Sequence, residues 1–324
     1  MVKPFRKGLE EVGPGCWAWI QPDGTWGFSN SGLVAENGES LLVDTLYDLA
    51  KTREMLEGYR KATPAARNIG ALVNTHANGD HYFGNQAVDT PRIIATRTCA
   101  DEMKVRPPSG RAEQLRNWRE LGDAGRFFHE NLGGKFDLEG IELVLPTETF
   151  DDRMTLKIGG KTVELHNVGP AHTGGDALVW LPQEKIVYTG DIIFADSHPI
   201  VWDGPVKNWI KACELMIGWG ANVVVPGHGP VTDLSAVRET KHYFEYLTAA
   251  ARKRFDAGMP VDQAIRDVSL DEFKGWKESE RIVVNMNALY NEFKGVNAPP
   301  EFMEMSAKML HYRNEQKAKG TYVE

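Results

Sequence analysis

The first quarter of the chain alternates short apolar runs with turn dipeptides, which is the pattern of consecutive β-strands. Residues 16–44 contain Asp-Gly, Ser-Gly and Asn-Gly pairs between apolar segments, and such pairs favour tight turns between antiparallel strands. Residues 46–63 then carry apolar side chains at helical spacing, among them Leu49, Leu56 and Tyr59. The apolar run IGALV that follows predicts a short buried strand.

A second round of strands and helices follows after residue 150. Glycines at Gly159 and Gly160 predict one hairpin, and residues 182–184 predict the turn of another. Residues 207–220 are predicted to be helical, residues 221–225 form an apolar strand, and the chain is predicted to be almost wholly helical from Ser235. Two rounds of strands and helices predict a layered α/β sandwich.

Residues 98–135 differ from the strand-rich parts on either side of them. This segment is charged and mostly helical in pattern, and it is interrupted by Pro107 and Pro108. We therefore interpret it as a helical insertion. Near the end of the chain, Ile282, Met286 and Leu289 have helical spacing, which predicts helices that pack on the preceding domain.

Composition limits the classes of partner. The chain has 324 residues, a net charge of -8 and no long basic run, which argues against nucleic acid. No apolar stretch approaches the roughly 20 residues of a membrane span, and the N-terminus lacks the apolar region of a secretory signal. Cys16, Cys99 and Cys213 lie far apart, which argues against a disulfide framework. A cytoplasmic protein with a small-molecule partner is expected, and its oligomeric state is left open.

A cluster of potential metal ligands follows the strand IGALV. The stretch NTHANGDHYFGNQ places His76, Asp80 and His81 in a tight glycine-containing loop. Three further candidates stand in similar contexts, at strand ends or between glycines: His172, Asp191 and His228. Imidazole and carboxylate are the usual ligands of zinc and related divalent metals. Several strand ends that each present such a group predict one shared metal centre.

These motifs, in this order, resemble those of the metallo-β-lactamase superfamily of metal-dependent hydrolases, over roughly Trp17 to Pro230. The resemblance implies an αββα sandwich of two mixed β-sheets flanked by helices, with the metals at the edge between the sheets. It also implies a catalytic domain over residues 1–250 that contains the insertion at 98–135. Residues 251–324 would then be a C-terminal helical extension packed on that domain.

The resemblance also implies the metal ligands. It places His76, position 78 and His172 in a first site, Asp80, His81 and His228 in a second, and Asp191 between the two. The family has histidine at position 78, where this chain has Asn78. An amide is a weaker ligand than imidazole, so we expect one firmly bound zinc and a second that is weak or absent. Iron or manganese is an alternative, and Asn78 could equally be a hydrogen-bonding loop residue.

Asp44 and five other histidines have competing interpretations. Asp44 ends a predicted strand, and it could cap that strand or support a metal-binding histidine as an outer carboxylate. The other histidines are expected to be structural or exposed, with His198 the least certain of them; they are His129, His166, His198, His242 and His311.

The expected function is hydrolysis of a small ester, thioester, lactone, amide or sulfate ester by a metal-activated water. In this mechanism Asp80 orients or deprotonates the water and also binds the metal. One alternative is a mononuclear iron enzyme that uses oxygen on the same fold. Another is a binding protein with impaired catalysis, which the presence of Asn78 suggests. A nuclease is disfavoured by the acidic charge.

Overall fold

Two β-sheets face each other in the computed structural model, which describes residues 5–296 and 301–324. The first sheet has seven strands that lie side by side in chain order. They are β1 (Gly8–Gly13), β2 (Cys16–Ile20), β3 (Ser31–Glu36), β4 (Glu39–Val43), β5 (Ala71–Val73), β6 (Ile93–Thr96) and β7 (Glu148–Phe150). Neighbouring strands from β1 to β4 are antiparallel, and those from β4 to β7 are parallel.

The second sheet has five strands and the same change from antiparallel to parallel pairing. Its strands are β8 (Arg153–Ile158), β9 (Lys161–Asn167), β10 (Ala177–Leu181), β11 (Ile186–Tyr188) and β12 (Val223–Val225). Strands β8 to β11 pair antiparallel, and β12 lies parallel to β11. Each sheet therefore contains parallel strands whose carboxyl ends lie at the same edge.

Alternating side chains of the strands build the layers. In β10, Ala177, Val179 and Leu181 point into the apolar cluster between the two sheets. Leu178 and Trp180 point the other way, into the cluster that the helices form with the second sheet. Successive side chains of a strand face opposite sides, so an unbroken apolar strand such as this one is buried on both faces.

Helices cover the outer face of both sheets. The described residues form α1 (Leu49–Ala62), α2 (Gly79–Tyr82), α3 (Arg97–Val105), α4 (Pro108–Arg116), α5 (Gly122–Leu132), α6 (Val206–Trp219), α7 (Leu234–Asp256), α8 (Val261–Asp267), α9 (Ile282–Lys294) and α10 (Phe302–Lys319). Met55, Leu56 and Tyr59 of α1 pack on the first sheet. Asp48 caps this helix, because its carboxylate accepts a hydrogen bond from the Lys51 N–H.

Helices after residue 250 contribute buried side chains to the core on the second sheet. Ile282 and Leu289 of α9 and Met309 of α10 are fully buried in one cluster with Trp209 of α6 and Phe244 of α7. A buried ion pair joins α10 to the chain before α9, with Arg313 Nη2 lying 2.6 Å from Glu280 Oε1. The C-terminal helices therefore share a core with the sandwich.

The predicted αββα sandwich is confirmed, and so are the two hairpins of the second sheet. The segment interpreted as an insertion contains α3, α4 and α5. Strands β1, β6 and β7 were not predicted. Among the described residues, no helix has the length and apolar character needed to cross a bilayer.

Candidate metal centre

The candidate ligands meet at the edge where the parallel strands end. His76 and Asn78 follow β5, and Asp80 and His81 lie in α2, directly after Asn78. The other three lie in the loops after β9, β11 and β12, and they are His172, Asp191 and His228. Ligands from four chain segments thus meet at the carboxyl ends of β5, β9, β11 and β12.

The Asp191 carboxylate lies at the centre of this group. Its Oδ1 is 3.0 Å from His81 Nε2, and its Oδ2 is 3.3 Å from His172 Nε2, 3.5 Å from His228 Nε2 and 3.7 Å from His76 Nε2. All five side chains are almost completely buried. One carboxylate therefore touches every histidine of both predicted sites.

Asp80 joins the same cluster from the cavity side. Its Oδ2 lies 3.3 Å from His228 Nε2 and 3.9 Å from His81 Nε2. Two sets of three residues have ligand atoms within 4.8 Å of one another, and these sets are His76, His81 and Asp191, and Asp80, His81 and His228. Asp80, His81, Asp191 and His228 thus converge on one point.

All four histidines turn the same ring nitrogen toward this centre. Their Nδ1 atoms contact other groups: Thr75 Oγ1 at 3.0 Å from His76, Asp44 Oδ2 at 3.0 Å from His81, the Ile200 carbonyl at 2.7 Å from His172 and the Gly24 carbonyl at 3.1 Å from His228. An Nδ1–H that donates to oxygen leaves the Nε2 lone pair free for a metal. The surroundings thus fix the tautomer that coordination requires.

Asp44 supports two of these histidines at once. Its carboxylate accepts hydrogen bonds from the Thr75 N–H and the Thr75 hydroxyl, each at 2.7 Å, and it also contacts His81. Since the Thr75 hydroxyl donates its proton to Asp44, its oxygen can accept from His76 Nδ1–H. Of the two interpretations of Asp44, these contacts match the outer carboxylate.

The cluster fits a metal ion by the chemistry of its donors. His76 Nε2 is buried without a hydrogen-bond partner, and His81 Nε2 and Asp191 Oδ1 are buried with only each other in reach, at 3.0 Å. Buried polar atoms without partners are costly. Ligand atoms of a tetrahedral zinc site, with bonds of about 2.0–2.2 Å, lie roughly 3.3 Å apart, close to the separations around Asp80 and Asp191.

Burial and charge set the protonation of the histidines in opposite directions. Burial lowers the pKa of His172 to about 4 and holds the pKa of His76 well below its usual range. Burial also opposes the charged form of His228, but the carboxylates of Asp191 and Asp80 outweigh it and raise its pKa to about 9. The same carboxylates raise the pKa of His81. A metal must displace these protons, because coordination requires the neutral ring.

Comparison with known families identifies the family to which the chain belongs. The sequence profile of the metallo-beta-lactamase superfamily matches residues 24–228, which include every candidate ligand. The chain belongs to the metallo-beta-lactamase superfamily. Membership confirms the predicted family of metallo-hydrolases. The match ends at His228, so residues beyond it, including α7 to α10, lie outside the shared region.

Relatives within the superfamily are distant. A metallo-beta-lactamase type 2 from Bacillus sp. (strain 170) is 27% identical over 222 residues, which cover 65% of this chain and 71% of the relative. The alpha subunit of 2,4-dinitroanisole O-demethylase from Nocardioides sp. (strain JS1661) is 24% identical over 250 residues, which cover 75% of this chain and 65% of that subunit.

Solved structures share the fold. An inverting sec-alkylsulfatase from Pseudomonas sp. superimposes with a TM-score of 0.67 at 16% identity, over 89% of this chain and 50% of the sulfatase. This chain therefore spans half of that protein's length. A metallo-beta-lactamase from Pontibacter korlensis gives a TM-score of 0.54 at 23% identity, over 74% of this chain and 99% of the lactamase.

A cavity of about 590 Å³ opens above the candidate metal centre. Asn78, Asp80, His172, Asp191 and His228 line its floor. Its walls combine polar and charged side chains with aromatic ones, and the aromatic side chains include Trp26, Tyr47, Phe127, Phe128, Trp202 and Phe302. This volume suits a small molecule, because ligand cavities usually measure roughly 300–1,000 Å³.

Asn78 lies beside His172 at the edge of the cluster. Its Nδ2 lies 2.8 Å from His172 Nε2. Because His172 Nδ1–H donates to the Ile200 carbonyl, Nε2 is an acceptor and the Asn78 amide donates to it. The amide thus occupies the lone pair that a metal in the first site would use.

Several supporting residues were not predicted from the sequence. Asn74 and Asn85 hydrogen-bond to each other, and Asn74 also donates to the His81 carbonyl at 3.1 Å. Asn30 donates to the carbonyls of Pro226 and Gly229, on either side of His228. In the sequence, the one indication of such a role was that Asn74 and Asn85 lie at the start and near the end of the stretch NTHANGDHYFGNQ.

The backbone at Gly227, in the loop before His228, passes close to the Asp191 carboxylate. A Cβ atom on Gly227 would lie 2.0 Å from Asp191 Oδ1. A larger residue there would displace the central carboxylate, so the loop before His228 must pass with a bare backbone.

The remaining histidines lie outside the ligand cluster. His198 is buried with its ring edge-on to Tyr243 and Trp276, and burial lowers its pKa to about 3. Each of the others has a neighbour of its own, in the pairs His129 with Trp118, His166 with Trp219, His242 with Glu272 and His311 with Asp123. The expectation that these five have structural or surface roles agrees with these contacts.

Proposed function

We propose that this protein hydrolyses a small molecule through a metal-activated water, at an ester, thioester, lactone, amide or sulfate ester bond. The observation that carries the proposal is the convergence of the ligand atoms of Asp80, His81, Asp191 and His228 beneath a cavity with several aromatic side chains in its wall. Such a floor can hold a metal, and such a cavity can hold an organic substrate over it. The sec-alkylsulfatase that shares the fold is named for a sulfate ester substrate, which is one of these classes.

Asp80, His81, Asp191 and His228 would hold the metal, and zinc is the first choice for two imidazoles and two carboxylates. When bound, a divalent metal lowers the pKa of a coordinated water toward neutrality and polarises the scissile group. His81 and His228 outweigh the effect of burial on Asp80 and lower its pKa, so its carboxylate is ionised at neutral pH. Asp80 also borders the cavity, where it can orient the attacking water and accept its proton.

The walls of the cavity position the substrate and limit the access of water to it. Phe194 stacks on the His228 ring at 5.2 Å between centroids and so holds it in place. Burial raises the pKa of Tyr47 to about 12, so its phenol stays protonated and can donate a hydrogen bond into the cavity that it lines. Residues of this chain thus supply a proton acceptor and a donor near the floor.

The Asp44→Asn variant tests the support of the ligands. Asparagine can still adopt the left-handed backbone of Asp44, with its φ of 59°, so the change is confined to the hydrogen bonds. The amide offers one acceptor atom, whereas the carboxylate accepts bonds on both oxygens. We expect metal affinity to fall about 10–100-fold, as for other outer partners of metal ligands. Competition with a chromogenic chelator measures this affinity, and unchanged affinity would remove Asp44 from the account.

The Asn78→His variant tests the weak first site. An imidazole at this position would replace an amide that now donates to His172, and it would offer a lone pair of its own. We expect the tightly bound zinc to rise from about one to about two equivalents per chain, because imidazole is a regular zinc ligand. The control is Asn222→His, which adds a histidine at an exposed position. Two tightly held zinc ions in the wild-type protein would refute the weak-site proposal.

A substrate panel tests the reaction itself. Nitrophenyl esters, thioesters, lactones, anilides and sec-alkyl sulfates are incubated with zinc-loaded protein, with and without a chelator. The proposal predicts turnover of at least one class that stops on metal removal and returns with zinc. Metal analysis and absorption spectra of the purified protein separate zinc from the iron-dependent alternative. A loaded protein that binds but never turns over the panel would favour the impaired binding protein.

The cytoplasmic location and the small-molecule partner remain part of the proposal. Cys16, Cys99 and Cys213 are buried free thiols, which suits a reducing compartment.

A further inference from the structure

Arg111 is an unpaired cation in the wall of the cavity. It lies in α4 of the insertion, and its Nη1 is buried without a hydrogen-bond partner. Buried Arg281 and Arg313, by comparison, form ion pairs with Glu278 and Glu280 at 2.6 Å. Arg111 is the one partly buried arginine in residues 5–296 and 301–324 that forms no ion pair with an acidic side chain.

Aromatic rings hold this guanidinium in place. Arg111 Cζ lies 4.9 Å from the ring centroid of Phe128 in α5 and 4.8 Å from that of Phe302 in α10. The two rings stack on each other at 5.2 Å, and Trp202 packs on Phe302 at 5.0 Å. All four side chains line the cavity above the metal centre. The insertion and the C-terminal extension thus meet around one cation and an apolar platform.

None of the four carboxylates that line the cavity forms an ion pair with Arg111. Asp80 and Asp191 belong to the metal cluster. Glu301 caps α10, where its side chain accepts hydrogen bonds from two backbone N–H groups. Asp203 Oδ2 is buried without a hydrogen-bond partner, and burial raises the pKa of this carboxyl although Arg106 opposes the rise. None of these four acids therefore neutralises Arg111.

We infer that Arg111 binds an acidic group of the substrate, a carboxylate, sulfonate or sulfate, whose apolar part lies against Phe128, Phe302 and Trp202. A partly buried guanidinium without a counter-ion is costly, and its planar donors match a two-oxygen anion. This inference rests on the proposed function and narrows its substrate class to anionic, partly apolar molecules. Arg111 determines specificity here, at a position separate from the reacting bond.

Binding of a non-hydrolysable pair of probes tests the inference. Octanesulfonate carries the anion, and octyl methyl sulfone has nearly the same shape without the charge. Calorimetry with zinc-loaded wild-type protein should show tighter binding of octanesulfonate. The Arg111→Met variant keeps an apolar side chain on the rings, and it should weaken octanesulfonate by about 10-fold or more, the loss expected for a hydrogen-bonded charge. The sulfone should bind the variant and the wild type equally.

The control is Arg116→Met in the same helix, because Arg116 is exposed and pairs with Glu139. This variant should leave the binding of both probes unchanged. Arg111→Lys keeps the charge without the fork, and it should recover part of the affinity for octanesulfonate. Thermal unfolding verifies that each variant is folded.

Two results would overturn the inference. One is octanesulfonate binding that Arg111→Met leaves unchanged, which would place the anion at the metal. The other is the lack of any preference of the wild-type protein for the anionic probe. Since no turnover is measured, either failure leaves the hydrolase proposal standing. Conversely, selective binding without hydrolysis of any substrate in the panel would overturn the hydrolase proposal alone.

Discussion

Replacing Asp191 with asparagine is expected to remove most of the metal and most of the activity. The Asp191 carboxylate lies between 3.0 and 3.7 Å from the Nε2 atoms of four histidines. Asparagine keeps the shape, but it removes the negative charge and turns one acceptor into a donor. Loss of an outer partner costs about 10–100-fold, so loss of this central ligand should lower kcat/KM by more than about 100-fold.

The control for this prediction is Asp196→Asn, the same substitution five residues further along. Asp196 is exposed, and its φ of 63° is one that asparagine also adopts readily. Metal content, kcat/KM and thermal unfolding are compared for the two variants and the wild type. An Asp191→Asn protein that kept its zinc and its rate would contradict the assignment of Asp191 as the shared ligand.

The second large effect is on stability. Glu280 is fully buried, and the Arg313 guanidinium that neutralises it also donates to Asn131 of α5 at 3.0 Å. Arg313→Leu would leave Glu280 as a buried charge without its partner. Removing one member of a buried pair typically costs about 3–5 kcal/mol, so we expect a loss of that size in the free energy of unfolding.

Urea unfolding of zinc-loaded protein measures this loss. The control is Arg266→Leu, which breaks the ion pair between Arg266 of α8 and Glu315 of α10 at the surface. Surface pairs contribute about 1 kcal/mol or less. The double variant Glu280→Met/Arg313→Met should recover part of the loss, because no unpaired charge remains. Equal costs for Arg313→Leu and Arg266→Leu would show that the buried pair does not hold the C-terminal helix.

The strongest patterns in the sequence predicted the sandwich. Apolar runs with turn dipeptides gave the hairpins β3–β4 and β10–β11, which end near Asp44 and Asp191. In the structure each hairpin is followed by a parallel strand, β5 in one sheet and β12 in the other. The two hairpins therefore have the same local topology in both sheets.

Two of the unpredicted strands, β1 and β7, lack a local signal. β7 has the three residues Glu148 to Phe150, and its pairing partner is β6, more than 50 residues earlier in the chain. Only the parallel register with β6 defines this strand, so tertiary pairing outweighs its sequence pattern. The sequence of β1 also gives little indication of a strand, because its six residues include two glycines and two glutamates.

The residues of the candidate site could be predicted only in part, because the sequence does not show which distant segments meet. Motif residues are recognisable one by one, and the fold then brings them together at the strand ends. Contacts between distant segments are not visible in the sequence, as for Asn30, whose side chain holds the loop of His228 nearly 200 residues away. Arg111 is a further case, because its lack of an acidic partner becomes evident only once the insertion is folded over the cavity.

Titration of the metal-free protein with zinc tests the central claim most directly. The wild-type chain is freed of metal with a chelator, and zinc is then added stepwise. Bound zinc and the hydrolysis of a substrate from the panel are followed in the same sample. The account predicts no turnover at the start and full turnover once one equivalent has bound tightly. Hydrolysis by the metal-free chain at the rate of the loaded protein would contradict it.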